Sequence, residues 1–175
     1  MTKPDGTATA PLRPALAVPK KTAWAWALAT VLGTGFLRPG PGTWGSAVAV
    51  LVWLATAYAK TLPLATLHWM TLAAAVVITG AGVPAASIVQ RESGRDDPGF
   101  VVLDEVAGQW TALILARPHW TDWLLAFLLF RAFDILKPPP ARQIDRTHTG
   151  TGIMMDDVAA WLYAMLVLWL VQRWI

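Results

Sequence analysis

The chain has 175 residues, 55% hydrophobic and 14% charged, with a net charge of +3, and its mean hydropathy is +0.47. That length makes one domain. A charged fraction well below the roughly 25% of soluble domains, with the apolar residues gathered in long runs, marks a membrane protein. The absence of cysteine excludes disulfides, thiolate metal sites and a cysteine-phosphatase nucleophile.

Residues 1–21 are rich in Pro, Ala and Thr and end in Lys20-Lys21. Without helical or strand periodicity they are expected to form a disordered cytosolic tail, leaving 22–175 as a single membrane-embedded domain. The apolar run 22–34, about 13 residues, is too short to cross roughly 30 Å of hydrocarbon. No small-residue cleavage site follows it, so a signal peptide is disfavoured. An interfacial or re-entrant helix is expected there.

Residues 33–46 form a Gly/Pro-rich loop that runs into an apolar segment from Trp44. Gly40, Gly42 and Gly45 permit close backbone approach, and Thr43 or Ser46 is expected to cap the helix that follows. A helix N-terminus with free N–H groups attracts anions; the plainer alternative is a membrane-surface turn with ordinary capping. Residues 64–89 are apolar and long enough to span. Gly80, Gly82 and Pro84 near their end predict a kink or an early stop. After the polar stretch 91–104, the segments 106–116 and 120–130 flank Arg117-Pro118-His119 and read as a helical hairpin. Residues 158–175 form one further apolar helix. Eleven Trp stand against two Tyr. Trp44, Trp69, Trp120, Trp123 and Trp174 lie near the ends of apolar runs, where an interfacial belt or helix packing would use them.

If 64–89 crosses and 106–130 goes in and out, the loops 33–45, 91–105 and 131–157 emerge on one face. That face carries eleven cations (Lys3, Arg13, Lys20, Lys21, Arg38, Arg91, Arg95, Arg131, Lys137, Arg142 and Arg146), against Lys60, Arg117 and Arg173 on the other. An excess of Lys and Arg in short loops marks the cytoplasmic side.

The stretch 131–157, RAFDILKPPPARQIDRTHTGTGIMMDD, concentrates the chemistry. It holds four of the fourteen Lys/Arg and four of the eleven Asp/Glu residues, between two apolar segments. Arg131, Lys137, Arg142 and Arg146 suit a phosphate, and Asp134, Asp145, Asp156 and Asp157 suit a hard metal ion. Arg131, Asp134 and Lys137 recur every three residues and lie side by side if the helix persists to Pro138. Asp104 and Glu105 add a second acidic pair at a helix boundary. Asp104 or Asp156 could serve as an N-cap, but one cap per helix does not account for doubled acids. Gathered on one face, these carboxylates would repel unless a cation neutralised them, and an all-oxygen donor set favours Mg²⁺ or Mn²⁺. His148 is a solvated loop residue or an acid catalyst.

The set PGTWGS (41–46), LDE (103–105), RAFDILKPPPARQIDR (131–146) and GTGIMMDD (150–157) resembles the phosphatidylglycerophosphatase A family, from about Gly33 to the C-terminus. The resemblance implies a Mg²⁺-dependent phosphatase of the bacterial inner membrane. Such an enzyme removes the terminal phosphate of phosphatidylglycerophosphate to give phosphatidylglycerol. By matching position it implicates Pro41, Gly42, Thr43, Gly45 and Ser46, the pair Asp104 and Glu105, and Asp134, Lys137, Pro138, Pro140, Arg142, Asp145 and Arg146. In the last motif it implicates His148, Gly150, Gly152, Asp156 and Asp157. Thr149 and Pro139 depart from the family pattern without removing a candidate ligand.

The expectation is therefore an all-α, multi-pass membrane protein with about four or five membrane segments and one cytosolic-face site. Some of Asp104, Glu105, Asp134, Asp156 and Asp157 would hold Mg²⁺. Lys137, Arg142, Arg146 and Arg131, with Gly42, Thr43 and Ser46, would hold the phosphate, and His148 would supply a proton. The residues do not choose between direct attack by water and an aspartyl-phosphate intermediate. The expected partner is a membrane phospholipid, with no nucleic acid. A CDP-alcohol phosphotransferase is the nearest enzymatic alternative, but its D-x-x-D-G-x-x-A-R signature is missing. A small transporter would place ionisable groups within the apolar segments, which are nearly free of them.

Overall fold

The computed structural model describes residues 21–59, 62–136, 154 and 158–174. The expected tail, Lys21 apart, lies outside these residues. The described chain is helical throughout, with six α-helices and one 3-10 turn: α1 (Ala23–Ala29), the turn Thr34–Phe36, α2 (Pro41–Ala59), α3 (Leu64–Ser93), α4 (Leu103–Leu113), α5 (Trp120–Leu136) and α6 (Val158–Val171).

Two helices, α2 and α3, are long and apolar enough to cross a membrane. At 1.5 Å per residue they measure about 28 and 45 Å. Only 33% and 28% of their most apolar windows are buried inside the protein, the reverse of a soluble core helix. Leu51, Val76, Val77 and Trp69 face outward along them. The other helices are shorter than a full span, so the count of four or five segments is not reproduced by length alone.

At the centre stands α4, packed against α2, α3, α5 and α6. Its eleven residues bury Leu103, Val106, Ala107, Gly108, Gln109, Ala112 and Leu113, which leaves almost no face for solvent. Small residues let the neighbours in. A Cβ on Gly45 would lie 2.9 Å from the Val102 carbonyl oxygen, and one on Gly82 would lie 2.6 Å from Met154 Sδ. Trp110 Nε1 donates to the Ala49 carbonyl at 2.9 Å, tying α4 to α2. The hairpin between α4 and α5 breaks where Arg117-Pro118-His119 predicts.

Three local expectations are corrected. First, α2 begins at Pro41 and not near Trp44, because proline is pre-set for the first helical position and has no N–H to leave unpaired. Thr43 and Ser46 therefore lie inside the helix, Thr43 exposed and Ser46 buried, and neither caps it. Second, α3 runs through Pro84 to Ser93 and stops at Gly94, which takes a left-handed conformation (φ 66°). Burial of Ala85, Ala86 and Val89 against α1 and Val101 offsets the roughly 3 kcal/mol an internal proline costs. Third, α4 starts at Leu103 with Val102 as its N-cap residue and no side-chain cap bond, so Asp104 is not a cap.

The short α1 packs on α3. Glu92 accepts hydrogen bonds from the Thr22 backbone N–H at 2.9 Å and from Trp26 Nε1 at 2.7 Å. The chain then reverses through Val31 and Leu32, both at positive φ, and Gly33. Trp44, Trp69, Trp120 and Trp174 are exposed, whereas Trp123 packs against the core.

The far end of the bundle, where α4 turns into α5, is locked by Asp122, whose side chain is fully buried. It accepts hydrogen bonds from the Arg117 backbone N–H (3.0 Å), Arg117 Nε (2.8 Å) and Gln172 Nε2 (2.7 Å). Gln172 also donates to the Leu115 carbonyl at 3.1 Å, so α6 is stapled to the hairpin. Asp122→Ala would strand these donors and should destabilise the protein by about 2–3 kcal/mol. Arg117→Ala should cost less than half as much, since that side chain is 41% exposed. Thermal unfolding of both variants in one detergent checks the order, and equal losses would refute the staple.

Candidate active site

Sequence reasoning places three polar loops on one face, and the structure brings their described parts to one end of the bundle. There the first turn of α2, the first turn of α4 and the last turns of α5 meet. Arg131 and Asp134, one helical turn apart on α5, form an ion pair at 2.5 Å. The same Arg131 nitrogen, Nη1, lies 3.9 Å from Glu105 Oε1 across the α4–α5 interface. The three side chains are 13%, 11% and 15% exposed. Asp104 precedes Glu105 in the first turn of α4, where the helix dipole favours acids.

Gly42 completes the arrangement. A Cβ there would overlap Glu105 Oε1 and lie 2.8 Å from Glu105 Cδ and 3.1 Å from Arg131 Nη1. The backbone of α2 thus lies directly against the carboxylate, which a side chain would displace. Ser46, one turn further along the same face, is fully buried, and its hydroxyl has no hydrogen-bond partner among the described residues. Thr43 points away, exposed.

Among the described residues the site holds more carboxylates than cations. Burial pushes the Glu105 carboxyl above its usual range, and the Asp134 charge adds to this. A hydrogen bond with Asp104 and the Arg131 charge act in the opposite sense. Glu105 Oε2 is buried without a hydrogen-bond partner among the described residues. Among the described residues the Arg131 guanidinium serves both Glu105 and Asp134, and a buried oxygen without a partner there asks for a proton or a cation.

Among the described residues no cluster of three or more His, Asp or Glu is assembled closely enough to hold a metal ion. The donor chemistry nonetheless suits a hard cation: oxygen ligands, no sulfur, and one buried carboxylate oxygen unsatisfied. The candidates Lys137, Arg142, Asp145, Arg146, His148, Asp156 and Asp157 lie outside the described residues.

Sequence reasoning missed Gln109. It sits one turn beyond Glu105 on the same face of α4, fully buried, with neither amide atom hydrogen-bonded among the described residues. A lone glutamine in an apolar helix carries no motif. Only its i+4 spacing from Glu105 hinted at a shared face.

Two glycines separate site geometry from packing. Gly42→Ala meets the flexible end of Glu105, which can swing away, so kcat should fall at least about tenfold while Tm moves by no more than about 2 °C. Gly35→Ala would instead drive a Cβ into the Phe100 backbone and should lower Tm by more than about 5 °C. Phosphate-release kinetics and thermal melts on both variants check this, and a melt in which Gly42→Ala is the less stable would refute it.

The comparisons place the chain in a family. The family model described as phosphatidylglycerophosphatase A matches residues 27–172. A protein of Bacteroides thetaiotaomicron named "Putative phosphatidylinositol-3-phosphatase" is 40% identical over 152 residues, covering 85% of this chain and 92% of its own. The phosphatidylglycerophosphatase A of Haemophilus influenzae is 34% identical over 153 residues (84% and 88%). That of Escherichia coli is 36% identical over 137 residues (76% and 74%). No solved structure matches. The motifs that carry the site, PGTWGS, LDE and the arginine–aspartate end of α5, fall within the matched span, and the chain belongs to the phosphatidylglycerophosphatase A family.

Proposed function

We propose that this phosphatase hydrolyses the terminal phosphomonoester of phosphatidylglycerophosphate, with Mg²⁺, at the cytosolic face of a bacterial inner membrane. One observation carries the reading within the family. Glu105, Arg131 and Asp134 converge, with Asp104 hydrogen-bonded to Glu105, at one end of helices whose apolar sides are largely unburied. A groove of about 560 Å³ lined by Trp24, Leu28, Val31, Val48, Val52, Ile78, Leu103 and Val106 supports a lipid substrate. It is wholly apolar in character, and Leu103 immediately precedes Asp104.

In this reading α2, α3, α5 and α6 face lipid, and α4 is enclosed among them with its acidic first turn at the membrane surface. Asp104, Glu105, Asp134, Asp156 and Asp157 supply the oxygens that would hold Mg²⁺. The ion, when bound, offsets phosphate charge and makes phosphorus a better electrophile. Lys137, Arg142 and Arg146 hold the phosphate oxygens, arginine through paired N–H groups and lysine as a point charge. Arg131 fixes Glu105 and Asp134 relative to one another and is a positioning residue. Water supplies the new oxygen on phosphorus, directly or by hydrolysis of an aspartyl-phosphate, and as the bond from phosphorus to the glycerol oxygen breaks, that oxygen takes a proton, for which His148 is the candidate donor. The products are phosphatidylglycerol and inorganic phosphate.

A second reading has one specific observation in its favour, the phosphoinositide activity in the name of the Bacteroides relative. Both headgroups carry a phosphomonoester beyond an inner phosphodiester, so the same residues serve either. Phosphate release from the two lipids, presented in the same detergent, ranks them.

Chelation with EDTA should abolish phosphate release and Mg²⁺ should restore it; full activity in metal-free buffer would sink the metal assignment. Glu105→Gln and Asp104→Asn should each lower kcat by at least about 100-fold with Tm held. A loss of only a few-fold, with lowered Tm, would make the acids structural. For sidedness, a single cysteine at Ser93 should resist an impermeant thiol reagent on intact cells and react after permeabilisation.

A further inference from the structure

A second charged feature lies beside the acidic cluster and takes no part in the chemistry above. A cavity of about 330 Å³ opens between the turn after α1 and the loop after α3, walled by Gly35, Phe36, Arg38, Pro41, Arg95 and Phe100. Its two arginines are exposed. Neither has an ion-pair partner among the described residues, although Asp96 and Asp97 follow Arg95 directly. Two guanidinium groups facing one cavity repel each other unless an anion joins them.

The walls are fixed. Phe100 stacks on Trp26 with ring centroids 5.4 Å apart and meets Phe36 at 5.3 Å. The Arg95 guanidinium lies over the Phe100 ring, 5.7 Å from its centroid, so part of the entropy of holding it is already spent. Gly35 packs so closely on the Phe100 carbonyl that no side chain fits between the two loops. The Val102 N–H donates to the Ala29 carbonyl at 2.9 Å, which ties the same loops once more.

Position gives the feature its meaning. Pro41 is in the cavity wall, and the next residue, Gly42, lies against Glu105. Consecutive Cα atoms are about 3.8 Å apart, so the cavity adjoins the acidic cluster. A headgroup in which a three-carbon glycerol separates a terminal phosphomonoester from an inner phosphodiester needs two neighbouring anion sites of different character. The monoester, to be cleaved, goes to the carboxylate cluster; the diester, to be left intact, needs cations without acids.

We infer that Arg38 and Arg95 bind the inner phosphodiester of the lipid headgroup and thereby set where the terminal phosphate falls. The assignment rests on the phospholipid-phosphatase reading and adds a substrate-recognition subsite to it. Its chemical class is an anionic glycerophosphodiester, which the substrate and the product phosphatidylglycerol share and inorganic phosphate lacks.

The test uses the full chain in detergent with the variant Arg38→Gln/Arg95→Gln and each single variant. Retention of phosphatidylglycerol by the purified protein is measured by native mass spectrometry. Phosphate release is measured with phosphatidylglycerophosphate, in the absence and presence of inorganic phosphate as inhibitor. The double variant should lose at least about tenfold in phosphatidylglycerol affinity and raise KM by a similar factor. Its kcat should stay within about threefold, and inhibition by inorganic phosphate should not change. Each single variant should show a smaller loss in the same direction, which decides the matter if the double variant folds poorly. Wild-type protein that retains no phosphatidylglycerol, or variants that retain it equally, would overturn the inference. So would a parallel weakening of inorganic phosphate. If the wild type binds phosphatidylglycerol but releases no phosphate from the lipid, the phosphatase reading fails. The binding comparison still judges the arginines.

Discussion

The arrangement at the active end depends on one guanidinium. Arg131 reaches Asp134 on its own helix and Glu105 on α4, and without it two carboxylates would face each other across a nearly dry interface. Removing charge from water at such a site costs several kcal/mol per ion unless partners compensate. Among the described residues compensation is incomplete, since Glu105 keeps one buried oxygen unpaired there. A structural ion pair gains nothing from that shortfall. A site that must attract and release charged ligands does, because full internal neutralisation would leave no electrostatic drive for binding.

The two ends of the bundle solve similar problems differently. Asp122 is as deeply buried as any acid described, and backbone, arginine and glutamine donors all reach it. It is satisfied within the protein, at the end that carries few cations. At the opposite end Glu105 keeps a buried oxygen with no partner among the described residues, and Arg38 and Arg95 stand nearby without an ion pair among them. The contrast between saturated and unsaturated polar clusters in one small fold is a sharper pointer to the working end than the count of charges.

Parts of this were legible in the chain. The i, i+3 spacing of Arg131 and Asp134 predicted their pairing, because helical neighbours are fixed by geometry alone. Arg117-Pro118-His119 announced the hairpin through proline and polarity. The start of α2 was misread because a P-G-P-G run looks like loop until one notes that proline suits a first helical position. The early stop read at Gly80, Gly82 and Pro84 is overturned because helix-breaking propensity is local and the alanine face that sustains the helix is tertiary. The link from Asp122 to Gln172 spans 50 residues, and no pattern in sequence marks it. Gln109 was invisible for a similar reason: burial is decided by the four helices around α4, not by its neighbours in the chain.

The apolar surface then limits what the site can accept. Helices α2 and α3 turn most of their apolar windows outward; in the proposed reading the medium around them is the bilayer, and the charged end sits where it gives way to water. A water-soluble phosphate ester could approach such a site only from the aqueous side and would gain nothing from the groove that begins at Leu103 and Val106. A lipid is held from both directions, its chains in the apolar layer and its headgroup against the arginines and carboxylates. Anchoring the chains restricts the headgroup to a shallow zone, and translational freedom lost on binding the bilayer need not be lost again at the site. A cluster with few directed contacts can then be selective, because the membrane has already fixed the depth at which the phosphate arrives.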